Sequence, residues 1–126
     1  MNIDEVVKDI EKLKYQIQVL GQAIDHQTHP VEALILSMDW GKGDVDRAHD
    51  IFEKYDKKLE AEESINWTAF EHELRDEFGI GYQIVKTIVL AFFENHQWMD
   101  VCYGYAMSME PTTPIEFHRI TRNNKT

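Results

Sequence analysis

Cysteine is almost missing from this 126-residue chain: Cys102 stands alone, so no disulfide can form within it. Without a cysteine framework the fold has to rest on a packed core, and the usage suits a reducing compartment. Proline occurs three times and glycine six, too few for a linker or a low-complexity block. Long apolar runs are lacking too. The longest, residues 88–93, is far short of the roughly 20 residues that cross a bilayer. The opening Met1-Asn2-Ile3-Asp4-Glu5 places acids where a secretory signal needs an apolar stretch, so none is expected. Basic charge is scarce, with 13 Lys and Arg against 23 Asp and Glu and a net charge of −10. Such a surface repels phosphate backbones and anionic lipid, so neither nucleic acid nor a membrane is an expected partner. A cytoplasmic protein is the expectation.

What is present is apolar periodicity at helical spacing. Ile3, Val6, Ile10, Leu13, Ile17, Leu20 and Ile24 step three, four, three, four, three, four without a miss, a heptad seam on a helix expected over 4–26. Isoleucine at every a position and mostly leucine at d favour two strands in a parallel coil, where Asp9 at g would attract Lys14 at the following e. Val7, Val19, Gly21 and Ala23 broaden the stripe, so its contact need not be two-stranded and could be exchanged between subunits and laid against the fifth helix. A narrow apolar stripe asks for a partner, and these seven residues are the expected oligomer interface. Packing inside its own bundle would use similar spacing.

Thr28-His29-Pro30 reads as a stop and restart, because proline suits a first helical turn and disfavours a continuing one. A short helix with Val31, Leu34, Ile35 and Met38 on one face should follow, broken by Trp40-Gly41-Lys42-Gly43. Asp44 is the expected N-cap of a third helix carrying Val45, Ala48, Phe52, Tyr55 and Leu59. Asn66 should cap a fourth with Trp67, Phe70, Leu74 and Phe78, and Gly79 should end it in a left-handed turn. The fifth, over 82–95, is apolar nearly all round except at Gln83, Lys86 and Thr87, and so should be central. A sixth is expected over 97–109 on Trp98, Val101, Cys102, Tyr105 and Met109. The expected class is all-α: a bundle of about six helices forming one domain over 1–110, and a tail over 111–126 that is partly disordered. Ile115, Phe117 and Ile120 could anchor the beginning of that tail, whose charges are Arg119, Arg122 and Lys125 against Glu116.

Four stretches carry a resemblance. Lys12-Leu13-Lys14-Tyr15-Gln16-Ile17-Gln18-Val19-Leu20, then His29-Pro30, then Ile65-Asn66-Trp67, then Phe92-Phe93-Glu94-Asn95-His96-Gln97-Trp98-Met99-Asp100 resemble the small all-helical YhaI-type family of Bacillus-like bacteria, over about residues 10–109. The resemblance implies a helical, self-associating fold and assigns no activity. The family pattern has glycine at the turn before the last helix, where this chain has His96, and it does not extend over 111–126.

No catalytic residue, cofactor or metal is expected. His26 and His29 beside Asp25 have no third ligand within sequence reach. Glu71-His72-Glu73 lacks the paired histidines of a helical zinc site. Asp39, Asp44 and Asp46 miss the ligand spacing of a calcium loop. Cys102 lies on an apolar stripe, as an inert buried thiol does. The favoured reading is a non-enzymatic homo-oligomer acting through protein–protein contact, with itself as the expected partner and another protein as a further candidate. The alternative is an acidic inhibitor or decoy of prophage or phage type, whose 12 acids over 44–77 would occupy a basic groove on another protein. A pocket among Trp67, Phe92 and Trp98 would instead favour a small ligand.

Overall fold

A computed structural model describes residues 2–123, and it is all-helical: no strand occurs among the described residues. Seven α-helices run in the order α1 (Ile3–Ala23), α2 (Pro30–Met38), α3 (Lys42–Glu60), α4 (Trp67–Phe78), α5 (Tyr82–Glu94), α6 (Met99–Met107) and α7 (His118–Asn123), with a 3-10 turn at Ile115–Phe117 before the last. Among the described residues no helix is long and apolar enough to cross a membrane.

The sequence signals set most of the boundaries. The Asn66 side chain accepts the Ala69 N–H at 3.0 Å and starts α4. Gly79, at φ 60°, ends it in the left-handed conformation that costs glycine nothing. Asp44 acts differently from the expected N-cap. The helix begins at Lys42 after Gly41, and the Asp44 carboxylate, from the third helical position, accepts the Gly41 N–H at 2.8 Å. Gly41 has no side chain to offer, so the capping acceptor reaches back from inside the first turn.

α5 is the hub. Val85, Ile88, Val89 and Phe92 are fully buried, and α2, α4 and α6 pack on it. α3 closes the other side against α4 and α6. An aromatic web runs through the helices: Phe52 lies 4.8 Å from Phe92 and 5.2 Å from Phe70, Phe70 lies 5.3 Å from Tyr105, and Tyr105 lies 5.8 Å from Phe117. Pairs of this kind each add about 0.5–1.5 kcal/mol beyond the area they bury. Trp98 starts α6 in a left-handed conformation and donates its indole N–H to His49 Nδ1 at 2.9 Å, tying α6 to α3.

The segment set apart as a tail joins the bundle through residue 123. Phe117 and Ile120 are fully buried, while Ile115 is exposed. A segment this short shows no helical period, yet two apolar residues suffice to seat it. The disorder expected at its end falls on 124–126, outside the described residues. Two ion pairs fasten the segment to α5: Lys86 Nζ to Glu116 at 2.8 Å, and Arg119 to Glu94. Lys86, expected on the solvent edge, is buried, with its ammonium also 5.0 Å from the centre of the Tyr82 ring.

Two outcomes follow from this packing. A Cβ added to Gly104 would sit 2.4 Å from Trp67 Cζ2, part of a ring hemmed in by Tyr55, Phe70 and Tyr105. Gly104→Ala should therefore destabilise by about 1–3 kcal/mol in urea unfolding, although alanine favours helix by up to about 1 kcal/mol. Hydrogen bonding to Lys86 holds the Glu116 carboxyl below its usual value of 4.5. The pair's stabilisation is complete above that value and is lost as pH falls through the lowered folded value. Glu116→Gln should lower the melting temperature at neutral pH, and below about pH 4 the gap to wild type should narrow.

Candidate functional site

α1 forms for local reasons. The Asn2 side chain accepts the Asp4 N–H at 2.9 Å, and Asp4 and Glu5 in the first turn oppose the positive end of the helix dipole. Its end is local as well. Asp25 accepts the Gln27 N–H at 2.9 Å and the Thr28 hydroxyl at 2.7 Å, a turn that competes with continued helix. These bonds, with that of Thr28 the strongest influence, lower the Asp25 pKa. The helix stops at Ala23 instead of reaching 26, so Ile24 is its C-cap and not its last heptad turn.

No residue of α1 is buried. Ile3, Ile10, Leu13, Ile17 and Leu20 are 46–78% exposed, where the bundle's large apolar residues lie near zero. Val6 and Ile24 are half-buried, and Val7 and Val19 leave the flanks apolar and open. Within its own chain α5 is packed by α2, α4 and α6. The end of α1 meets the bundle. A Cβ at Gly21 would stand 3.5 Å from Leu36 Cδ1, and Ile17 and Gly21 face Ala33 and Leu36 of α2 across a groove of about 500 Å³. Leu36 is itself 41% exposed, so the apolar surface runs from the seam onto α2.

The residues weighed for chemistry take structural positions. His26 and His29 are exposed, and His29 precedes α2 without capping it through its side chain. Among the described residues no three metal-ligating side chains converge. Asp39 ends α2 in a left-handed conformation, and Asp46 pairs with Lys42 at 3.0 Å. Glu71 accepts the Tyr105 hydroxyl at 2.9 Å and Glu73 that of Tyr55 at 3.3 Å, joining α4 to α6 and α3. Desolvation, then Glu73, raises the Tyr55 pKa to about 12. Cys102 is fully buried and its thiol is pushed far up by desolvation, so no thiolate forms near neutral pH. Trp67 borders a pocket of about 380 Å³ with Tyr82 and Tyr105, whereas Phe92 is sealed in the core beside Phe52 and Trp98 is engaged with His49. The three share no cavity.

The sequence reading missed a cleft of about 580 Å³ where α5 and the turn after it face α7. His96, His118, Arg119 and Arg122 line it around Phe93 and Met99. The available signal was the excess of bases over acids after residue 117 in an otherwise acidic chain.

A family model, described as a protein of unknown function (DUF1878), matches residues 3–100. The chain belongs to the DUF1878 family. No curated protein and no solved structure matches it. The DUF1878 match takes in the whole seam and the first five helices and ends at the start of α6, so His118, Arg119 and Arg122 lie beyond it.

Proposed function

We propose that this DUF1878 chain is a cytoplasmic, non-enzymatic protein that associates with further copies of itself through α1 and presents its bundle to another protein. One observation carries the proposal: a 21-residue helix that holds six of the seven seam residues, Ile3 to Leu20, buries none of its residues within the chain. Helices of globular proteins owe most of their stability to tertiary packing, and α1 lacks it. A contiguous apolar stripe left open along a helix about 32 Å long is the kind of surface that marks an interaction site. Burying a seam leucine or isoleucine fully contributes about 1.5–3 kcal/mol, so a few such residues per copy offset the cost of association. Asp9 and Lys14 favour a parallel arrangement. Membership of the YhaI-type group within Bacillus-like bacteria is part of the proposal, resting on the order of segments and on the run from Phe92 to Asp100.

The decoy alternative has less behind it. Of the 12 acids over 44–77, Asp44, Asp46, Glu53, Glu71, Glu73 and Glu77 are already paired with bases of the same chain, so the surface offers no unbroken array of free carboxylates.

The double substitution Ile10→Lys and Ile17→Lys tests the proposal. Two buried ammonium groups would cost several kcal/mol in a closed seam and almost nothing in an open one. Light scattering should find the native chain at a multiple of the monomer mass and the variant at one copy. Because α1 adds no residue to the core, the variant's bundle should still melt cooperatively. A native chain that is monomeric, or a variant of unchanged mass, would overturn the assembly reading.

A further inference from the structure

We infer that the cleft between α5 and α7 binds a small organic oxyanion, a phosphate or a carboxylate carried on an apolar body. The inference is independent of α1 and its assembly. Its first support is charge. In a chain of net charge −10, this cleft gathers two arginines and two histidines against the single acid Glu94. Glu94 is committed to Arg119 by an ion pair, which fixes that guanidinium at the rim and leaves further N–H donors of its fork for a ligand. Among the described residues no acid pairs with Arg122, which stands one helical turn beyond His118 on the same face of α7. An imidazole can donate an N–H in either protonation state, so each of the four side chains brings an N–H donor to the lining of the cleft.

The second support is backbone strain. His96 lies on the opposite wall with φ 59°, in the left-handed region that favours glycine. A side chain kept there costs on the order of 1 kcal/mol and places an imidazole at the cleft. The third is the apolar part of the lining, from Phe93, which is largely buried, and half-buried Met99. These suit a ring or short hydrocarbon better than a bare inorganic ion. A cation is disfavoured by the arginines, and a nucleic acid by the chain's net charge of −10.

The test titrates the full chain with phenyl phosphate, benzoate and inorganic phosphate, following backbone amide shifts by NMR. Saturable shifts are expected around His96 and residues 118–122. The better of the two aromatic probes should bind about tenfold or more tighter than inorganic phosphate, and which of them binds better identifies the head group. Arg122→Gln, checked for an unchanged melting curve, should weaken that binding about tenfold or more. His96→Gly should weaken it while raising the melting temperature, a combination that a purely structural histidine would not give. Shifts that do not saturate below about 10 mM, an unaltered affinity in Arg122→Gln, or inorganic phosphate binding as tightly as the aromatic probes would each overturn the inference.

Discussion

α5 cannot be left with a bare side. Val85, Ile88, Val89 and Phe92 are all fully buried, with Ala91 and Phe93 nearly so, and a helix that apolar must be wrapped. α2, α4 and α6 each take part of its surface, α3 braces α4 and α6 from behind, and the last segment adds Phe117 and Ile120. None of this wrapping comes from α1, whose residues are all outside the core. The core is therefore built without α1, and the helix is left with its apolar stripe exposed. The core and the seam thus differ in one respect: the apolar surface of the first is covered by the chain itself, and that of the second stays exposed.

Much of this was legible in the sequence wherever the cause is local. Asn66 and Gly79 mark the ends of α4 because capping depends on neighbours a few positions away. The central place of α5 followed from its composition, and the seam of α1 from its spacing. Boundaries failed where two local signals compete. The Asp25 turn follows a helix that ends at Ala23, three residues short of the expected end at 26, and Asp44 caps from within its helix because Gly41 cannot. What stayed hidden depends on partners far along the chain. Lys86 looks like a solvent-facing residue until Glu116 arrives 30 positions later, and Phe117 and Ile120 have no period to announce their burial. The cleft needs α7 folded back on α5 before its basic residues meet.

The family match divides these features unevenly. Residues 3–100 include α1, its junction with α2 and the whole of α5, so the open seam belongs to the part of the chain that the family defines. The basic wall of the cleft comes from residues beyond that match, while its floor and His96 come from within it. A surface assembled from both parts exists because Phe117 and Ile120 seat the later segment in the core, with the ion pairs of Lys86 with Glu116 and Glu94 with Arg119 at its edge. The second of these pairs also lines the cleft, so one contact both seats α7 and shapes the surface beside it.

The turn held by Asp25 has a further consequence for geometry. Only residues 24–29 lie between α1 and α2, and six residues reach at most about 20 Å even when fully extended. Parallel pairing of α1 would therefore bring two bundles to the same end of the coil and keep them there. A third molecule with two matching surfaces would meet the second bundle at a local concentration that can reach millimolar, gaining avidity with no contact beyond those each bundle already offers.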